Sequence, residues 1–227
     1  GAQIVAHKKI DFNETLIDYL VFSAHKMYAP FGSGAIIGLK EDFERLNSDL
    51  KGGGTVEYVF DNSEVLLPPP EKHEAGSPNF FGAIALVQSM KELKNIGYEI
   101  IEKNEKILLD HAIKGLNSIK DVISYGDNVY TEDRLGIVVF NIKDMYHGEC
   151  AKLLANLRAI AVRQGAFCAH PYVKRLLNLD TEEYEKYLTG RSCKIPGMIR
   201  VSFGAYNSLK ELDIFLNTIE LICKLKQ

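Results

Sequence analysis

Long apolar runs, internal repeats, paired cysteines and an excess of either charge are all missing from this 227-residue chain. No apolar run reaches the ~18 residues that a membrane-spanning helix needs, so no membrane span is expected. Twenty-seven basic side chains stand against 30 acidic ones, a net charge of −3, which leaves no general basic footprint for nucleic acid. The four cysteines (Cys150, Cys168, Cys193, Cys223) form no CxxC pair and no Cys/His spacing that suggests zinc, so no metal site is expected. Scattered free thiols fit a reducing cytosol, each by default a small buried hydrophobe. With 46% hydrophobic and 25% charged residues the chain has the composition of an ordinary globular protein, which excludes disorder and a fibrous repeat. It opens Gly1-Ala2-Gln3-Ile4-Val5, with neither a Met nor a basic-then-apolar leader.

The patterning that is present divides near residue 97. Ile4–Ala6, Tyr19–Phe22 and Ala35–Leu39 are short, nearly continuous apolar runs, as expected for strands covered on both faces. A helical turn is expected within Asn13–Asp18 and a short helix at Glu41–Leu46. Residues 52–78, with Gly52-Gly53-Gly54, Pro68-Pro69-Pro70 and Gly76-Ser77-Pro78, read as mostly loop, and loops of this length are usually functional or disordered. From Asn79, Ile84, Val87, Met90 and Leu93 recur at helical spacing up to a stop at Gly97. A second helix is expected from about Tyr98 to Leu116, with Ile100, Ile101, Ile107, Leu108 and Ala112 in its stripe. Strands follow at Val122–Ser124, Gly136–Phe140, Ile160–Val162 and Met198–Phe203, and helices at Gly148–Leu157 and Leu209–Lys224. The pattern suggests a small α+β layer appended to an α/β domain.

The chemistry concentrates in Ser23-Ala24-His25-Lys26-Met27-Tyr28-Ala29-Pro30-Phe31-Gly32-Ser33-Gly34. An apolar strand ends abruptly in Ser, His and Lys before a Gly/Pro loop, and side chains at the carboxyl ends of α/β strands face the ligand crevice. A lysine in such a place can be desolvated, the state a Schiff-base nucleophile needs.

This segment resembles the pyridoxal-phosphate (PLP) lysine segment of class V aminotransferase-fold enzymes, which include the cysteine desulfurases and selenocysteine lyases. Further segments match in order: Gly1-Ala2-Gln3, Gly52-Gly53-Gly54, Glu74-Ala75-Gly76-Ser77-Pro78-Asn79, Arg163-Gln164-Gly165-Ala166-Phe167-Cys168-Ala169-His170-Pro171, Ile199-Arg200-Val201-Ser202 and Tyr206-Asn207. The resemblance implies that Lys26 forms the Schiff base with PLP, that Ser23 and His25 contact its phosphate, and that Gln3 contacts the pyridine 3-oxygen. Ser77 stands where the family usually has a Thr that reaches the phosphate bound by the opposite subunit of a homodimer. Arg200 is implied to grip the substrate carboxylate, for which a guanidinium fork is well matched, with Arg163 in support. The Cys matching Cys168 attacks the substrate sulfur in desulfurases and leaves a persulfide; Arg163 and His170 nearby in sequence could make its setting electropositive.

The family's chain is nearly twice this length. The absent N-terminal half supplies the group stacked on the PLP ring and the Asp that pairs with the pyridinium nitrogen. The resemblance places that Asp immediately before Gly1. The expected fold is therefore α/β: the C-terminal half of the large domain of a fold type I, aspartate-aminotransferase-like enzyme (residues 1–97), followed by a complete small α+β domain (98–227). The expected function is cysteine desulfurase or selenocysteine lyase chemistry on a small amino acid, in a cytoplasmic homodimer with a sulfur-acceptor protein as a further partner. The lyases most often carry polar, His-containing residues before the Cys, whereas Ala166 and Phe167 offer no proton relay. Two alternatives stay open: another class V PLP reaction (transamination, epimerisation or a different lyase step) with Cys168 as pocket wall, or a catalytically inert folding and association module.

Overall fold

The computed structural model describes residues 1–126, 134–190 and 194–226; Cys193, counted among the expected free thiols, lies outside the described residues. The chain separates into two compact units, Gly1–Ile100 and Ile101–Gln227. Among the described residues no helix is long and apolar enough to cross a membrane.

In the first unit, β1 (Tyr19–Ser23) and β2 (Gly34–Gly38) form an antiparallel pair in which Ser23 faces Gly34 and Tyr19 faces Gly38. Burial alternates along β1: Leu20 and Phe22 are buried, whereas Tyr19 and Val21 are exposed, as are Ile36 and Ile37 on β2. The continuous apolar runs led to an expectation of cover on both faces, yet within this unit one face is covered. The expected strand at Ile4–Ala6 is instead a 3-10 turn, because the His7 and Lys8 amides both donate to the Ile4 carbonyl at 2.9 Å. Asn13–Asp18 holds no helix; the Asn13 amide donates to the Asp11 carboxylate at 2.9 Å and turns the chain there. The short helix α1 spans Lys40–Arg45.

The stretch read as loop contains a second hairpin, β3 (Val56–Val59) with β4 (Glu64–Leu66), closed around Asp61-Asn62-Ser63. Its turn residues were visible in the sequence, but its strands are short, largely exposed and mixed in character, so no alternation announced them. Helix α2 (Phe80–Ile96) is capped by the Asn79 side chain, which accepts from the Gly82 amide. Its buried positions are Gly82, Leu86 and Leu93. Of the expected stripe only Leu93 is buried; Ile84 is 68% and Val87 50% exposed. The helix is apolar on both sides, and polar anchors described below, rather than hydrophobicity, select the side that packs.

The second unit is built on a four-stranded antiparallel sheet ordered β5-β6-β8-β7: Val122–Tyr125, Ile137–Ile142, Met198–Ser202 and Arg163–Gly165. On β6, Val138, Phe140 and Ile142 point into a core completed by α3 (Tyr98–Ser118), α4 (His147–Arg158) and α7 (Leu209–Leu225). The Phe140 and Phe215 rings meet edge-on, with centroids 5.9 Å apart. Along α3, Ile101, Leu108 and Ala112 are buried as expected, but Ile100 and Ile107 are exposed; Leu109, Ile113 and Leu116 complete the stripe. The strand expected at Ile160–Val162 lies three residues later, at Arg163–Gly165. Ala159, left-handed at φ 54°, ends α4, and pairing with β8 begins only at Arg163. The segment between β7 and β8 contains two helices that the sequence pattern did not announce, α5 (His170–Leu176) and α6 (Thr181–Thr189).

Helix α7 starts with a reciprocal capping box. The Glu211 amide donates to the Ser208 hydroxyl, and the Glu211 carboxylate accepts from the Ser208 amide at 2.8 Å. The Ser208 amide, the Ser208 hydroxyl and the Asn207 side chain, in that order, hold the Glu211 carboxyl below its usual range. A depressed folded value stabilises the fold above the unfolded pKa, and the contribution is lost as pH falls through the folded value. Glu211→Gln should therefore lower Tm near neutral pH, with the gap to wild type closing in acid. Ser208→Ala should cost about 1 kcal/mol, read by urea denaturation.

Candidate active site

Ser23, His25 and Lys26 occupy one compact turn. Ser23 ends β1 and precedes the 3-10 turn Ala24–Met27, which carries His25 and Lys26. The turn is held in a shape that its residues do not favour: Tyr28 and Phe31 both adopt left-handed backbone, φ 64° and 72°. Such conformations cost about 1–3 kcal/mol each and persist only where the surroundings over-determine them. Here the Ala24 amide donates to the Ser33 carbonyl at 2.8 Å, and the Ala29 amide to the Ala24 carbonyl at 3.1 Å. Gly34, opposite Ser23, is required by close approach, since a Cβ there would lie 2.7 Å from the Phe22 carbonyl oxygen.

Helix α2 supplies the remaining supports. Asn79 donates from its amide to the Phe31 carbonyl at 2.6 Å, Ser33 donates to the Gly82 carbonyl at 2.8 Å, and Ser89 donates to the Met27 carbonyl. The side of α2 that faces the lysine turn is therefore marked by side-chain hydrogen bonds to carbonyls on both elements. Two further motifs also meet. The Gly76 amide donates to the Gly53 carbonyl at 2.8 Å, which joins Gly52-Gly53-Gly54 to the segment carrying Ser77, an exposed residue. The fully buried Thr55 hydroxyl closes the glycine turn by donating to the Gly52 carbonyl at 2.8 Å. Gln3 immediately precedes the Ile4–Ala6 turn, which packs against the Ala24–Met27 turn.

The other expected site residues lie in the second unit. Arg163 on β7 and Arg200 on β8 are directly opposed in register, with Val139 of β6 on the other flank of Arg200. Ile199 and Val201 point to the helices, so Arg200 projects from the opposite face. Burial, then the neighbouring Arg163 charge, pulls the Arg200 pKa below its usual value, and Cys168 acts in the opposite sense. The buried Arg200 Nε has no hydrogen-bond partner. The guanidinium carbon lies 5.5 Å from the centroid of the Phe167 ring.

Cys168 is exposed, whereas Cys150 and Cys223 are buried. Burial, reinforced by Cys223 and Glu149, pushes the Cys150 thiol up to about 12, and burial likewise raises Cys223. Both are small core residues rather than nucleophiles. Phe167 and Cys168 are both left-handed, φ 55° and 61°, in a turn closed by the Ala169 amide on the Ala166 carbonyl at 2.7 Å. The structure thus gathers Arg163, Arg200 and Cys168 in one unit, and Gln3, Ser23, His25, Lys26 and Ser77 in the other. Sequence reasoning gave no role to Ser33, Asn79 and Ser89, and took Phe167 only as an apolar residue without a proton relay. Asn79 was legible as a cap before Phe80-Phe81, but the other three act through partners distant in sequence.

The lysine turn and the small antiparallel domain with its opposed arginines belong to an α/β fold that solved cysteine desulfurase structures share over about half their length. The chain belongs to the class-V aminotransferase family, whose pattern matches residues 1–215. A Pyrococcus abyssi protein named "Probable cysteine desulfurase" is 36% identical over 225 residues, 99% of this chain and 51% of that protein. The cysteine desulfurase of Thermococcus onnurineus NA1 has a similar structure, with a TM-score of 0.85 at 32% identity over 99% of this chain and 51% of that one. The cysteine desulfurase CsdA of Escherichia coli, solved in its S-sulfonic acid form, gives a TM-score of 0.84 at 27% identity over the same shares. The chain thus spans about half the length of these relatives.

Gly82 is where the support of the lysine turn is tightest: a Cβ there would lie 2.6 Å from Asn79 Nδ2 and 2.7 Å from Ser33 Cβ. Gly→Ala inside a helix usually stabilises by roughly 0.5–1 kcal/mol. Gly82→Ala should do the reverse and lower the urea midpoint, because both side chains that hold the turn must move.

Proposed function

We propose that this chain carries the cofactor-lysine and substrate-facing parts of a PLP-dependent cysteine desulfurase. Residues 1–97 are then the second half of its PLP-binding domain and 98–227 its small domain. The observation that carries this reading is the exposed Cys168, fixed on a left-handed turn whose neighbouring Phe167 ring lies against Arg200, in a chain whose relatives are named cysteine desulfurases.

The donor set of the lysine turn fits PLP. It offers an amine for the aldehyde at Lys26, and a hydroxyl and a ring N–H for the phosphate at Ser23 and His25; Gln3 contributes a side-chain amide for the ring oxygen. Bound there, PLP supplies the electron sink that weakens bonds at the substrate's α and β carbons. Lys26 holds the cofactor and moves protons at the substrate carbon. Ser77 serves the phosphate of the partner site in a homodimer.

Arg200 orients the amino acid by pairing with its carboxylate. A neighbouring positive charge and partial burial leave that guanidinium in need of an anion, and Arg163 adds to the attraction. Cys168, as thiolate, attacks the sulfur of the positioned cysteine. The sulfur–carbon bond breaks as the sulfur–sulfur bond forms, its electron pair passes to the substrate carbon, and protonation of that carbon yields alanine. The sulfur stays on Cys168 as a persulfide for transfer to an acceptor protein, in a cytoplasmic setting where Cys168 stays reduced.

The test is the PLP-loaded enzyme with L-cysteine. Wild type should give alanine and sulfide in the presence of a thiol reductant. Lys26→Ala should lose the lysine-linked chromophore that borohydride fixes. Cys168→Ala should keep that chromophore and lose sulfide production, whereas unchanged turnover in this variant would sink the persulfide step. Turnover of amino acids that lack sulfur or selenium would favour another PLP reaction instead.

A further inference from the structure

We propose that Phe167 is a positioning residue: its ring face holds the Arg200 guanidinium in the orientation that receives a substrate carboxylate, and its turn ties that orientation to the Cys168 thiol. The proposal rests on the reading of Arg200 as the carboxylate-binding group.

Arg200 presents an unusual balance. Its guanidinium carbon lies 5.5 Å from the Phe167 ring centroid, within cation–π range. Its Nε is buried without a hydrogen-bond partner, so that atom is not held by polar contact. Among the described residues, the charges that shift it are a like charge, Arg163, directly across the strand pair, and Cys168, with no carboxylate beside them. An acidic partner would hold the guanidinium equally well but would compete with the substrate's own carboxylate. An aromatic face attracts the cation through its quadrupole and leaves the N–H donors free. The apolar residue before the Cys, which offers no proton relay, thus acquires a function that a polar residue would perform less well.

The backbone explains why this residue reaches Arg200. Strand β7 ends at Gly165, with φ 100°, and Phe167 and Cys168 follow in consecutive left-handed conformations. The Ala169 amide closes the turn on the Ala166 carbonyl at 2.7 Å. Neighbouring side chains on so tight a turn diverge: Phe167 lies against the Arg200 guanidinium, and Cys168 remains exposed. A displaced ring would move the guanidinium and the thiol together.

The experiment compares wild type with Phe167→Leu and Phe167→Tyr in the PLP-loaded enzyme. Binding of L-alanine and of L-alaninamide, which lacks the carboxylate, is followed by cofactor absorbance, and the assigned Arg200 Nε–H resonance by NMR. Loss of a partly desolvated cation–π contact corresponds to about a tenfold loss in affinity. Phe167→Leu should therefore weaken L-alanine about tenfold, raise KM for cysteine more than it lowers kcat, leave L-alaninamide unchanged, and move the Arg200 resonance out of its ring-current-shifted position. Phe167→Tyr, which keeps the ring face, should hold all four readouts at their wild-type values. Equal weakening of both ligands, or an Arg200 resonance that ignores the substitution, overturns the proposal. If the resonance moves as expected but wild type binds neither ligand, the desulfurase reading fails and the Phe167–Arg200 contact stands.

Discussion

The pairing of β8 with its two neighbours is the constraint on which the second unit depends. Met198–Ser202 lies between β6 and β7, with Arg200 opposite Val139 on one side and Arg163 on the other. Side chains alternate across a strand, so a slip of one residue would turn Arg200 into the helical core and expose Ile199 in its place. Burying an unpaired guanidinium there would be costly, and exposing a side chain now fully buried would forfeit hydrophobic stabilisation as well. The core on one face thus fixes the chemistry on the other. Val138, Phe140, Ile142 and Ile199 hold the register, and the register delivers two opposed arginines.

The lysine turn is secured by different means. It contains two non-glycine residues in left-handed conformation, and although Ala24, Met27 and Ala29 are buried, that packing alone does not determine it. Four side-chain and backbone hydrogen bonds do: from Asn79, Ser33 and Ser89, and from the Ala24 amide. The apolar stripe read on α2 therefore gives the helix but not the side that packs. Ile84, Val87 and Met90 have the correct helical spacing, but a helix that is apolar on both sides has no unique buried face. The polar anchors break the tie, and their partners are the carbonyls of Met27 and Phe31 and the Ser33 hydroxyl, about fifty to sixty positions away in sequence.

Left-handed non-glycine residues stand at Asp144, Ala159 and Asn178 as well, but those at Tyr28 and Phe31 in one unit and at Phe167 and Cys168 in the other lie in the segments proposed to carry the chemistry. Local strain of this kind aims side chains that regular secondary structure would pair or bury. In the first unit the cost is met by hydrogen bonds from a helix. In the second it falls on a turn that leaves a thiol accessible and lays a ring against a guanidinium. Placement also separates the cysteines: Cys150 and Cys223 are buried, which raises their thiol pKa values, whereas Cys168 is exposed.

Order of elements and family membership were legible from the chain alone, because they are carried by local signals. These are the apolar runs of β1, β2, β6 and β8, the caps of α2 and α7, and the ordered motifs around Lys26, Gly52, Ser77, Cys168 and Arg200. The β3–β4 hairpin, the three-residue shift of β7, and helices α5 and α6 were not, since exposed or edge elements need no apolar period to form. Which face of α2 packs, which cysteine stays accessible and what lies against Arg200 were decided by tertiary structure. Each depends on groups that are distant or cryptic in sequence and adjacent in space: a serine and a carbonyl 62 positions apart, a thiol packed into a core, a ring beside a guanidinium on another strand. The sequence by itself determined which reactive groups the protein possesses. Only the fold decided their surroundings, because burial, strand register and the pairing of otherwise unsatisfied polar groups are properties of the assembled core.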